Sequence, residues 1–282
     1  MKNTIRGKIA TVAVCAAVAA SCAVGAVTLS GCAKTTGVNG EMHYVQWNTN
    51  YGIKVNVQVQ SDKKGDRIRK VTVAESDYVE VSPEGNGWDP KAWNDGLQTL
   101  LNSYRGLYVA DVLSLEAHTE DGIPAVKADD GFVNFGDNLI ITGATLGSGR
   151  LLLAVQNALS SLENYEVAEG EYGYTAWGTD FGAKVRVVLK DGVIQKVVTL
   201  SSGYSNASAQ GWTPQTWYSK ADEILAAYKG KTAEYILGLT ATVEGQNGAT
   251  ENAVSDSNLL ATDATLSSAR LLLAVQNALK GA

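Results

Sequence analysis

A block of ten identical residues, RLLLAVQNAL, occurs twice in this chain of 282 residues, at 150–159 and again at 270–279. Each copy follows a turn of small residues, at 142–148 and at 262–268. The repeat period is far longer than the roughly 20 to 50 residues of stacked repeat arrays, so each copy can hold its own core. The sequence therefore predicts two tandem domains, over 41–165 and 168–282.

Each copy shows the pattern of an α+β domain, an antiparallel sheet packed with helices. Apolar and polar residues alternate at 53–59, and a turn leads to a second strand at 68–73. The second copy repeats this hairpin at 183–189 and 193–200. In both copies the hairpin precedes a helix.

The helix starts are marked by a capping residue followed by proline. Asp89 precedes Pro90 in the first copy, and Thr213 precedes Pro214 in the second. Proline is favoured at the first helical position because its missing N–H would have no partner there. The last helix of the first copy is predicted from about Ser148.

A leader precedes the repeats. Three basic residues, at positions 2, 6 and 8, are followed by an apolar stretch over 9–29 and then by Leu29-Ser30-Gly31-Cys32. This ending resembles the lipobox of bacterial lipoproteins. It implies a signal peptide over 1–31, a lipid anchor on Cys32 and a tether over 32–40. The alternative is an uncleaved helix over 9–29 that spans the membrane. Both readings place the repeats at the outer face of the membrane, outside the cytoplasm.

Charge and cysteine usage exclude several classes of function. The chain holds 29 Asp and Glu against 23 Lys and Arg, a formal charge of −6, so nucleic acid and anionic lipid headgroups are poor partners. Cys15 and Cys22 lie in the leader, which leaves Cys32 alone in the processed chain. That count excludes a disulfide within it, a cysteine-ligated metal site and an iron–sulfur cluster.

The turn before the last helix resembles a known signature. Thr142-Gly143-Ala144-Thr145-Leu146-Gly147-Ser148, followed by the helix, is similar to the S/T-G-A-T-x-T/S-S motif of the FMN-binding domain family. That family includes flavin-carrying subunits of sodium-pumping quinone reductases and lipoproteins of bacterial extracellular electron transfer. The resemblance implies FMN joined by a phosphoester to the hydroxyl of Thr145, a flavin transferase that attaches it, and redox partners.

The residue types suit a phosphate group. Small residues let the backbone approach closely, and unpaired amides at a helix start favour an anion. Arg150 and Arg270, placed by the sequence in a first helical turn, oppose the macrodipole unless an anion is near. The predicted FMN site comprises Thr142, Gly143, Ala144, Thr145, Ser148 and Arg150, with Thr262, Ala264, Thr265, Ser268 and Arg270 in the second copy.

The chain departs from the family pattern at two places. The family has an aspartate three residues before the first Ser or Thr, where this chain has Leu139 and Leu259. In the second copy Asp263 replaces the glycine, so Thr265 is the weaker site. An alternative without a cofactor is that Thr145 and Ser148 cap the helix while the arginines pair with Asp137 or Asp256.

No other catalytic group repeats in both copies. The two histidines, His43 and His118, both lie in the first copy, which excludes a histidine-based site in each domain, and a metal site is not predicted. The sequence predicts a lipid-anchored extracytoplasmic FMN carrier in electron transfer rather than a self-contained catalyst. The alternative is a cofactor-free lipoprotein of the cell envelope that uses a degenerate FMN-binding scaffold for binding.

Overall fold

The computed structural model describes residues 34–46, 49–76, 90–120, 123–126, 139, 145–176, 179–202, 214–241, 254–259 and 265–282. The fold is α+β, as predicted, with two antiparallel three-stranded sheets and several helices. We call the part up to residue 160 the first half and the part from residue 165 the second half.

The first half begins with strands β1 (Lys34–Gln46), β2 (Thr49–Asp62) and β3 (Gly65–Ser76), which pair in that order. Helices α1 (Pro90–Ser103) and α2 (Val109–Ser114) follow, then a short hairpin of β4 (Ala117–Glu120) and β5 (Ile123–Val126). Helix α3 (Thr145–Ser160) ends this half and packs on β1 and β2. The buried hydrophobic residues of β2 are Ile53, Val55, Val57 and Val59, which confirms the predicted alternation.

The second half repeats this order. Strands β6 (Tyr165–Ala176), β7 (Thr179–Lys190) and β8 (Val193–Ser202) form the sheet. Helices α4 (Pro214–Ala226) and α5 (Ala233–Leu237), a 3-10 turn (Ser257–Leu259) and helix α6 (Thr265–Lys280) follow. Helix α6 packs on β6 and β7 as α3 packs on β1 and β2. The predicted helix starts at Pro90 and Pro214 and the predicted strands of both hairpins are confirmed.

The first strand of each sheet lies unusually close to the last helix. A methyl group on Gly40 in β1 would overlap backbone atoms of Ala154 and Ala158 in α3, so only glycine allows this approach. Asn157 Nδ2 donates to the carbonyl oxygen of Glu41 at 2.8 Å and fixes the register of helix and strand. The second half repeats these contacts with Gly170, Ala274, Ala278, Asn277 and Glu171.

The two halves meet through α2, which lies on the outer face of β7 and β8. Asp111 Oδ1 accepts a hydrogen bond from Lys196 Nζ at 2.8 Å, and Arg186 Nη1 donates to the carbonyl oxygen of Leu115. The core of the first half includes Tyr165 and Val188 from the second sheet. The core of the second half consists of residues from 168 onward. The second half thus completes the core of the first, and the reverse is not seen among the described residues.

Three details of the sequence prediction are corrected. Residues 34–40 of the predicted tether belong to β1, because Val38 and Met42 pack against the core and Gly40 meets α3. Helix α3 begins at Thr145 rather than near Ser148, since burial of this helix outweighs the low helix propensity of its glycines. Strand β6 begins at Tyr165, a residue that the predicted boundary assigned to the first domain.

Candidate functional site

The candidate site lies at the start of the last helix of each half. Thr145 is the first residue of α3 and Thr265 the first residue of α6. The first four N–H groups of an α-helix have no acceptor within the helix, and the helix dipole makes that end positive. Neither helix has an acidic residue in its first turn. Both helix starts therefore present an environment that suits an anion.

Two polar residues in the first two turns of each helix are buried. Ser148 and Ser268 are 0% exposed, and Arg150 and Arg270 are 2% and 4% exposed. None of the four is without a partner. A buried guanidinium is unfavourable unless anionic or hydrogen-bonding groups surround it. The same burial occurs in both halves, so it is a property of the repeated fold.

The position of the arginines differs from the prediction. Because α3 begins at Thr145, Arg150 is its sixth residue and lies in the second turn, and Arg270 has the same place in α6. The macrodipole acts mainly within the first turn, so it does not explain these arginines. Both arginines are buried, and neither lacks an interaction partner.

Several predicted site residues lie outside the described part of the chain. These are Thr142, Gly143, Ala144, Thr262 and Ala264, together with the predicted anchor residue Cys32. Asp263 also lies outside it. For Thr145 and Thr265 the backbone is described and the side chain is not. The structure thus brings together Ser148 and Arg150 with the helix start in one half, and Ser268 and Arg270 in the other.

Most of the repeated decapeptide has a packing role. Leu151, Leu152, Val155 and Leu159 are fully buried core residues. Gln156 Nε2 donates to the carbonyl oxygens of Val112 and Leu115, both at 2.9 Å, and so ties α3 to the end of α2. Gln276 makes the matching bonds to the carbonyl oxygens of Ile236 and Leu239. The fold therefore accounts for the apolar and amide residues of the block.

The alternative in which Asp256 neutralises Arg270 is not supported. Asp256 Oδ2 accepts from Tyr235 Oη at 2.8 Å and lies 3.5 Å from Lys231 Nζ. Its Oδ1 accepts from the backbone N–H of Asn258 at 3.0 Å. The bond from Asn258, then that from Tyr235, hold the pKa of Asp256 below its usual value. Arg270 is not among its partners within the described chain, and Asp137 lies outside it.

Leu139 and Leu259, at the two positions where the FMN-binding motif has an aspartate, are core residues. Leu139 and Leu259 are each 1% exposed and belong to the cores of the first and second halves respectively. A carboxylate at either place would be buried among apolar side chains at a high cost. Both halves thus carry the same departure for a structural reason.

Sequence reasoning missed the polar groups that join the halves. Asp66, 6% exposed, accepts from Lys190 Nζ at 2.8 Å and from Tyr165 Oη at 3.1 Å. Burial alone would raise the pKa of Asp66, but these bonds outweigh it and lower the pKa. One residue in the sequence could have indicated the contact between the halves. Val188 is apolar and lies at an outward position of β7, where the first half has the polar Gln58.

The remaining predictions concern other groups. Trp217 is a core residue, 3% exposed, and packs edge-on against Tyr218 with ring centroids 5.0 Å apart. Among the described residues, no group of three or more His, Cys, Asp and Glu side chains could hold a metal ion. The helices of the described ranges include none that is long and apolar enough to cross a membrane.

Comparison with known proteins gave no family model, no curated protein and no solved structure that matches this chain.

Proposed function

We propose that this chain is a lipid-anchored, extracytoplasmic FMN carrier in electron transfer, built from two tandem FMN-binding-like domains. The observation that carries the proposal is the burial of Arg150 and Arg270 behind the starts of α3 and α6. A guanidinium and a helix start are both suited to a phosphate group, through charge-assisted hydrogen bonds and free amides. The preceding turns resemble the motif of the FMN-binding family, which indicates FMN as the molecule that contains this phosphate.

The residues present fit the phosphate end of FMN. Thr145, as the first residue of α3, lies among the amides that have no acceptor within the helix. Arg150 would balance the charge of the phosphate, and the Ser148 hydroxyl would donate a hydrogen bond to it. Bound flavin would supply reversible electron uptake, whereas the chain's own residues hold the phosphate and keep water from it. Electron donors, acceptors and a flavin transferase are the partners that this role requires.

The first site is proposed as the main one. Asp263 lies two residues before Thr265, where the first half has Gly143. Like charges about 6 Å apart repel by about 3 kcal/mol at an effective dielectric of about 20, before salt screening. A phosphate on Thr265 would meet this repulsion, so FMN on Thr145 is favoured.

A second candidate function has its own support. Leu139 and Leu259 fill the cores where the family's attachment motif has an aspartate. A scaffold that has lost this acid could bind envelope components without a cofactor. In that case the buried arginines would stabilise the turns before α3 and α6.

The test is production of the full chain together with a flavin transferase, followed by intact mass and visible absorption. We expect the mass of FMN on the protein, located by peptide mass spectrometry on Thr145. Thr145→Val should abolish it, and Thr265→Val should change it little. Arg150→Met should reduce flavin incorporation at least tenfold, because about 1.4 kcal/mol of phosphate binding lost before attachment corresponds to a factor of ten.

The matched control is Arg105→Met, which removes an exposed arginine of the same half. Flavin retained in Thr145→Val and lost in Thr265→Val would reverse the ranking of the two sites. Protein without flavin in either covalent or tightly bound form would overturn the carrier proposal and support the cofactor-free function.

A further inference from the structure

The turn between β2 and β3 carries a local excess of positive charge on a chain that is acidic overall. Lys63, Lys64, Arg69 and Lys70 are all exposed. Asp62, the exposed acid at the turn, accepts a hydrogen bond from the backbone N–H of Lys64 at 2.7 Å and shapes the turn. The exposed Glu75 lies at the far end of β3, where it pairs with Lys54. Net charge describes the whole chain, whereas a surface in salt solution responds to charges within about 8 to 10 Å.

The second acid near the turn, Asp66, does not offset these charges. Asp66 is buried and bonded to Lys190 and Tyr165 of the second half. Its charge is therefore directed inward and balanced there. The exposed end of the hairpin remains basic.

The start of the described chain lies beside this hairpin. Lys34, the exposed first residue of β1, pairs with Ser61 at the end of β2. Cys32 precedes Lys34 by two residues, which span at most about 7 Å. A lipid on Cys32 would therefore bring Lys34, Lys63 and Lys64 to the bilayer surface.

The second half shows that the fold does not need these lysines. In its corresponding turn, Asp191 and Gly192 connect Lys190 at the end of β7 to Val193 at the start of β8. That hairpin is shorter and has no pair of adjacent lysines. The basic turn is thus a feature of the half that follows the membrane anchor.

We propose that the β2–β3 hairpin, with Lys34, Lys63, Lys64 and Arg69, binds anionic lipid headgroups beside the anchor. The inference rests on the membrane attachment proposed above and is independent of flavin binding. This contact would orient the first sheet with the β2–β3 turn at the membrane surface and the opposite ends of its strands away from the membrane. Basic residues next to an anionic surface each add to such binding, and salt weakens it.

The experiment uses the full chain reconstituted in two kinds of vesicle, phosphatidylcholine alone and phosphatidylcholine with phosphatidylglycerol. Flotation in high salt, compared with Cys32→Ala, first reports the anchor. Amide hydrogen exchange then reports the hairpin. We expect exchange over 61–67 to slow about threefold or more in the anionic vesicles at low salt. Residues 49–54, at the opposite end of β2, serve as the internal control.

Variants that change the charge of the hairpin distinguish binding to lipid headgroups from protection that results only from anchoring close to the membrane. Lys63→Gln with Lys64→Gln should remove the protection, and Lys63→Arg with Lys64→Arg should keep it. Equal exchange in both vesicles, or protection that survives the glutamine changes or high salt, would overturn the proposal. Release of the unaltered protein in high salt would instead show that the anchor is absent, and the proposal would fall with it.

Discussion

Helices α2 and α5 are the same element in two environments. Gln156 and Gln276 bond to equivalent carbonyl oxygens at their ends, which makes Leu113 the counterpart of Leu237. Leu113 is 2% exposed, whereas Leu237 is 39% exposed. Both helices pack on the last helix of their own half, and α2 also contacts the outer face of β7 and β8. A duplicated element can thus serve as an interface in one half and as a surface in the other.

The difference arises from the sheet that receives the helix. The outward positions of β7 include Val188, which is 0% exposed, where β2 has the half-exposed Gln58. Polar groups at 56, 58 and 72 keep the outer face of the first sheet suited to water. The contact between the halves is therefore head to tail, with one donor helix and one acceptor sheet.

The largest expected effect concerns the halves produced separately. From the sequence, 41–165 and 168–282 would each fold alone. The asymmetric cores change this expectation: residues 165–282 should fold cooperatively, and residues 34–164 should not, because Tyr165 and Val188 complete their core. Chemical denaturation and amide exchange of each fragment would measure this. A cooperative transition in the isolated first half would show that the interface is dispensable.

Truncation of the matched leucines should separate α2 from α5. Leu113→Ala should lower the free energy of unfolding by about 3 kcal/mol, because it leaves a cavity in a buried contact. Leu237→Ala should change it by about 0.5 kcal/mol or less, since the side chain is partly in water. Urea denaturation of both variants and the unaltered chain supplies the values. Similar losses at the two positions would mean that something else covers α5.

A smaller effect is expected from the ion pair between the halves, and it depends on pH. The folded-state pKa of Asp66 is lowered, so its stabilising contribution is present above the unfolded pKa of about 3.9 and is lost as pH falls through the folded value. Asp66→Asn should cost about 1 to 3 kcal/mol at neutral pH, and the difference from the unaltered chain should shrink below about pH 4. Denaturation at several pH values would show this; a difference that stays constant in acid would contradict it.

Many of the strands and helices could be predicted from the sequence, because short-range patterns of apolar residues and prolines determine them. The alternation in β2 and β7 and the prolines at 90 and 214 gave the right elements. Strands β1 and β6 were missed because glycines stand where an apolar residue would mark the buried face. The fit of β1 depends on Ala154 and Ala158, more than a hundred residues away from Gly40. The fit of β6 depends on Ala274 and Ala278, more than a hundred residues away from Gly170.

The candidate site was predicted only in part. Its residue types and the helix behind it follow from the sequence, but the start of α3 and the burial of Arg150 depend on packing around the helix. The contact between the halves was not predicted at all. Pairing of Asp66 with Lys190 brings together residues that no local rule connects.

The dependence of the first core on Tyr165 and Val188 also orders events during synthesis. A ribosome completes α3 before it makes β7, so the first half emerges with its core still open. It can close only when the second sheet is available, whereas the second half needs nothing further along the chain. The N-terminal half, made first, should therefore be the last to become protected from proteases.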